Sequence, residues 1–93
     1  MPTKTITGKI VSQPIIQTNQ YNALVVLLVE TQEGSQELYY EQPLHSQFAL
    51  VEQFVNTNFS KIALSAIGDM VECKVYDNSE ILSFRNITRN RHF

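Results

Sequence analysis

The stretch AIGDMVECKVYDNSEILSFRNITRN, residues 66–90, decides how this chain folds. It opens on a Gly-Asp step and continues as an alternating run from Met70 to Tyr76. A polar turn follows, then a second run that leads toward Arg85, Arg89 and Arg91. Two alternating runs joined by turn residues predict an antiparallel hairpin. With Asn78-Ser79 at the centre of the turn, Val75 faces Leu82 and Cys73 faces Phe84 on one side. Glu72 faces Arg85 and Lys74 faces Ser83 on the other. One face is apolar and the other carries a complementary charge pair, so the register agrees with itself. Tyr76 and Ile81 fall on the polar face beside Lys74, and an aromatic ring next to cations is a feature of base-stacking surfaces.

Upstream, residues 23–31 are rich in valine and leucine and lie between polar clusters, as a strand does; Gly34 follows, and residues 37–42 return as the next strand. A Gly34-Ser35 loop sets Val29 opposite Tyr40 and Thr31 opposite Leu38, on the face shared with Val25 and Leu27. A Glu33-Gly34 loop keeps the faces but opposes Glu30 and Glu37, which repel. The second face holds Leu24, Val26, Leu28 and Tyr39. A strand apolar on both faces is covered on both, by a helix, another subunit or a ligand.

At the N-terminus, Ile6, Gly8 and Ile10 alternate with Thr7, Lys9 and Val11 as a first strand. Pro14 bars its continuation as a central strand, with resumption at Ile15. After Pro43 the period changes: Phe48, Val51 and Val55 step by three and four, with Ser46 as N-cap, and predict a helix of about three turns. The stretch FSKIALSAIGD reads either as a further turn of helix or as an irregular link.

Ninety-three residues allow one domain, covering 1–93. The order is three strands, a helix and two strands. The expected fold is therefore mainly β, a five-stranded OB-like Greek-key barrel with one helix between strands three and four. GKIVSQPIIQT (residues 8–18) looks like the opening strand of such a barrel, and IGDMVECKV (residues 67–75) like the approach to strand four. In these two stretches the chain resembles the bacterial single-stranded-DNA-binding proteins and their small primosomal relatives. That resemblance implies a non-enzymatic single-stranded nucleic-acid-binding protein that assembles as a homo-oligomer and needs no cofactor.

The net charge of −2 conceals an uneven distribution. No lysine or arginine lies between Lys9 and Lys61, an interval with five glutamates; the two ends hold all seven cations against four carboxylates. Phosphate neutralisation supplies most non-specific nucleic-acid affinity. Strands two and three, which OB barrels use for binding, offer glutamates instead. The expected nucleic-acid-binding residues are accordingly Lys9, Lys74, Tyr76, Arg85, Arg89 and Arg91, on strands one, four and five, with Tyr39 or Tyr21 as additional stacking rings. The alternative is an OB-like interaction or oligomerisation subunit that docks through Leu24, Val26, Leu28 and Tyr39 and binds no nucleic acid. The plainest reading makes Tyr40 and Phe84 core, the charges solvation, and the C-terminal RNRHF a frayed tail.

Catalytic and metal chemistry find little footing. His45 and His92 lack a carboxylate or cysteine at ligand spacing, and no phosphate loop or nucleophile elbow occurs. Cys73, the single cysteine, falls on the apolar face, where a thiol is an inert small hydrophobe. MPTKTITGKI has no apolar signal-peptide core, and the longest apolar run, residues 23–29, is too short to span a bilayer. A cytoplasmic protein without membrane contact is expected, and the NFS and NIT sequons are chance matches.

Overall fold

The computed structural model describes residues 2–19, 21–43 and 58–93. Seven strands and a short helix follow one another: β1 (Thr3–Ile10), β2 (Ile15–Thr18), β3 (Asn22–Thr31), β4 (Gly34–Pro43), α1 (Asn58–Ala63), β5 (Met70–Tyr76), β6 (Ile81–Asn86) and β7 (Arg91–His92). The expected helix from Ser46 onward lies outside the described residues. FSKIALSAIGD resolves its ambiguity as α1 followed by a turn. Phe59 and Ile62, three residues apart on α1, are both fully buried.

The strands form one curled sheet in the order β2-β3-β1-β5-β6-β7, with β4 on the other edge of β3. The count is seven, not the expected five, for two reasons. The first strand breaks at residues 11–14, and both halves lie along the same edge of β3: β1 at Lys9 and Ile10, β2 at residues 23–26 of its partner. The C-terminus adds the other strand. β7 pairs with β6, and Phe93 beyond it exchanges backbone hydrogen bonds with Phe84 at 2.9 and 3.2 Å. The Phe93 ring lies 5.4 Å from that of Tyr40 and 6.2 Å from that of Phe84, so RNRHF is a packed strand end and not a frayed tail.

Curling requires β1 to leave β3 and join β5. Gly8 sits at that divergence: a Cβ there would lie 2.2 Å from the Glu30 carbonyl oxygen, so only glycine lets the two backbones meet. The Gly-Asp step completes the junction. Gly68, at φ +93°, turns the chain so that its N–H donates to the Ile10 carbonyl, while Ile10 N–H donates to the Asp69 carbonyl. On the far side, Tyr39 N–H donates to the Ser79 carbonyl at 3.1 Å, and a parallel bridge joins Tyr39 to Glu80. The sheet is a half-barrel held across its opening by this bridge and by the Tyr40 and Phe93 rings.

The core is the inner face of this sheet. Val25, Leu27, Val29 and Leu38 from one hairpin meet Val71, Cys73, Val75, Ile81 and Phe84 from the other. Truncating a ring such as Phe84 to alanine typically costs ~3–5 kcal/mol, a large share of the stability of a domain this small.

Both hairpins differ in detail from the expected registers. In the first, Gln32-Glu33 form the turn and Gly34 takes φ +112°, which places Val25 opposite Tyr40, Leu27 opposite Leu38, and Val29 opposite Gln36. The faces are as expected, but the pairing has moved along the strands. Thr31 Oγ1 accepts from Glu33 N–H and donates to the Gly34 carbonyl, which fixes the tighter turn. Glu30 now faces Ser35 and Glu37 faces Leu28, so no two glutamates oppose each other. In the second, Glu72–Arg85, Cys73–Phe84 and Lys74–Ser83 pair as expected. A bulge between Lys74 and Val75 then sets Val75 against Ile81. The extra residue reverses the alternation, so Ile81 is buried and Leu82 is 42% exposed, opposite to the expected assignment.

Candidate nucleic-acid interface

Residues directly opposite in an antiparallel pair point to the same side of the sheet, and the registers therefore define rows across the outer face. One row reads Thr5, Lys74, Ser83 and the next Thr7, Glu72, Arg85, His92. Tyr76 stands beyond them opposite Thr3, and Lys9 stands at the other end opposite Met70. Lys74, Arg85 and His92 are exposed, while Tyr76 and Glu72 are half-buried. Lys74 and Arg85 lie in adjacent rows on adjacent strands, a diagonal of roughly 7 Å between Cβ positions. With Thr5, Ser83, His92 and Glu72 they border an open depression of about 290 Å³.

The six expected residues do not gather into one track. Lys74, Tyr76 and Arg85 come together. Lys9 is two rows from Lys74 and in register with Glu30 of β3. Arg91 pairs with Asn86, on the opposite parity from His92, and is exposed on the other side of the sheet from Lys74 and Arg85. Arg89 is held elsewhere: its Nε donates to Asp69 Oδ2 at 2.6 Å.

That ion pair belongs to a network drawn from residues far apart in the sequence. Asp69 Oδ2 also accepts from Ala66 N–H and from the Asn86 side-chain amide, each at 2.9 Å. Asn86 donates in turn to Ser65 Oγ, and its own oxygen accepts from Arg89 N–H. Burial alone would raise the Asp69 carboxyl, but the bonds from Ala66, Asn86 and Arg89 and the arginine charge outweigh it, and the pKa lies below the ordinary value. The Gly-Asp step was the signal available in sequence; its partners, 17 and 20 residues away, were not. Asn86, fully buried here, is the asparagine of the NIT sequon, which is thus committed to the interior.

Burial, with the Glu72 charge adding to it, pushes the Cys73 thiol up to about 12, so it is a neutral core group at physiological pH. His45 lies outside the described residues. Among the described residues no three of His, Cys, Asp and Glu converge as metal ligands, and no helix is long and apolar enough to cross a membrane.

On the other half of the sheet, Leu24, Val26, Leu28 and Tyr39 share the outer face and are half-buried. Ile15 of β2 faces Val26, which faces Tyr39, so the three form one apolar row. Ile15, 55% exposed, was missing from the expected interface because pairing of β2 with β3 could not be read from its four residues.

Comparison with family models, with curated proteins and with solved structures finds no match to this chain.

Proposed function

We propose that this chain is an OB-like, non-enzymatic protein that binds single-stranded nucleic acid through the outer face of β1, β5 and β6, and acts in the cytoplasm. The OB-like reading is supported by the chain path: a bent first strand, a meander through β3 and β4, a return beside β1, and a parallel bridge closing β4 onto the β5–β6 turn. The observation that carries the binding reading is the Lys74–Arg85 diagonal beside hydroxyl-bearing Thr5 and Ser83, with Tyr76 at the end of the same strand. Two phosphates in sequence would meet the two cations, and a base would stack on Tyr76.

The second reading is an interaction subunit that docks through the row Ile15–Val26–Tyr39 with Leu24 and Leu28. It is favoured by the Asp69–Arg89 ion pair and by Glu72 facing Arg85, both of which lower the positive charge left for phosphate.

Fluorescence anisotropy with labelled oligothymidylate separates the two. Neutralising about two phosphates should make log K fall with log salt at a slope of about −1.4. The double variant Lys74→Glu, Arg85→Glu should lose at least tenfold in affinity. Salt-independent binding, or none at low salt, would leave the interaction subunit.

A further inference from the structure

We infer that the free edge of β1 is a docking groove for an extended peptide segment of mixed charge, added antiparallel to β1. β1 pairs with β5 from Thr3 to Lys9, but with β3 only at Lys9 and Ile10. Hydrogen-bond alternation identifies the backbone groups left over. Ile10 donates to the Asp69 carbonyl and accepts from Gly68 N–H on the β5 side, whereas Val11 donates to the Leu28 carbonyl on the β3 side. Successive residues of a strand turn their N–H and C=O groups to opposite sides. Thr3, Thr5 and Thr7 therefore direct theirs away from β5, toward a space that no described strand fills.

That space is a groove of about 910 Å³, within the range that holds small ligands and short peptide segments. Residues 4–9 of β1 form one wall, and Glu30, Glu33 and Gln36 near the β3–β4 turn form the other. Its shape follows from Gly8, where β1 and β3 are in backbone contact before they diverge. A strand edge that no described residue pairs, set in a concave groove, is the geometry of β-strand addition, in which main-chain hydrogen bonds supply affinity and flanking side chains supply specificity.

Charge selects the occupant. Lys4 marks one end of the groove. At the other, Glu30 faces Lys9 in register, and Glu33 of the β3–β4 turn lines the same groove, so its carboxylates lie away from Lys4 along the opposite wall. An antiparallel segment with a basic residue near its N-terminus and an acidic one near its C-terminus meets both ends with opposite charge. A second copy does not fit: β1 itself carries no carboxylate, so a second β1 laid along this edge brings nothing acidic to Lys4.

The probe is a capped, fluorescein-labelled peptide Arg-Thr-Val-Thr-Val-Glu, titrated by anisotropy and by amide chemical shifts of the full chain. Saturable binding with shifts at Thr3, Thr5 and Thr7 is expected. A peptide N-methylated at alternate residues should bind at least tenfold more weakly, and the charge-reversed Glu-Thr-Val-Thr-Val-Arg at least threefold. Thr5→Pro removes a donor that no described residue uses, so it should keep its circular dichroism and lose the peptide. Should that variant not fold, the N-methylated peptide still decides. Equal binding of the N-methylated and parent peptides, shifts confined to other residues, or displacement of the peptide role by oligothymidylate at these three amides would overturn the inference.

Discussion

The Asn86 side chain, fully buried, donates to Asp69 Oδ2 at 2.9 Å and so ties the end of β6 to the corner that precedes β5. Three donors converge on that one oxygen, from the backbone of Ala66 and the side chains of Asn86 and Arg89. Asp69→Asn removes the charge and turns an acceptor set into one that also brings donors. Leaving buried groups unsatisfied costs about 1–3 kcal/mol, and we predict a loss of about 2 kcal/mol by urea unfolding at pH 7.

The same carboxyl sets an acid limit. Its pKa is lower folded than the ordinary 3.8, so the unfolded chain binds its proton first as pH falls. The stability it supplies is complete well above pH 3.8 and declines below it, through the lowered folded value. Urea midpoints of the wild type should fall over that window, and those of Asp69→Asn should fall less. Parallel acid profiles for the two proteins would contradict the assignment.

Gly8→Ala places a methyl against the Glu30 carbonyl and the Val29 side chain. Overpacking against backbone typically costs ~1–3 kcal/mol, and the upper end is expected because no flexible group can yield. Differential scanning calorimetry should show a marked fall in Tm, with hydrogen exchange accelerated at Lys9 and Ile10.

Ser79 ends the β5–β6 turn at φ +71°, in the left-handed region. Glycine tolerates that conformation without a Cβ clash. Ser79→Gly should therefore stabilise the protein by up to ~1 kcal/mol, and a lower urea midpoint would count against the turn geometry.

Cys73 should be inert in the native state. Its side chain is fully buried and its pKa is raised from 9.0 to about 12. Reaction with a disulfide reagent at pH 8 should be slow until denaturant is added. Stability should decline between pH 9 and 12, where only the unfolded thiol ionises.

Much of the sheet was legible because alternation is local. Val25, Leu27 and Val29 on one face, and Leu24, Val26 and Leu28 on the other, follow from period two alone. Glu72–Arg85 and Cys73–Phe84 followed from the charge and apolar pattern of a single hairpin. The bulge at Val75 was not legible: it lies beside the Tyr39–Glu80 bridge to β4, a contact that depends on closure of the whole sheet. Nor was the short β7, whose two residues carry too little pattern, although Phe93 gains two aromatic neighbours by pairing there. The candidate site was half legible for a related reason. Lys74, Tyr76 and Arg85 lie on one hairpin and share a face by register, whereas Arg89 was drawn to Asp69 by a tertiary contact that charge counting does not reveal.

The most direct test of the binding face is an amide chemical-shift titration of the isotope-labelled protein with oligothymidylate at low salt. Shifts centred on Lys74, Ser83, Arg85 and His92 that fade as salt is raised are expected. Shifts confined to the glutamate-bearing β3–β4 hairpin, or no shifts at all, would contradict it.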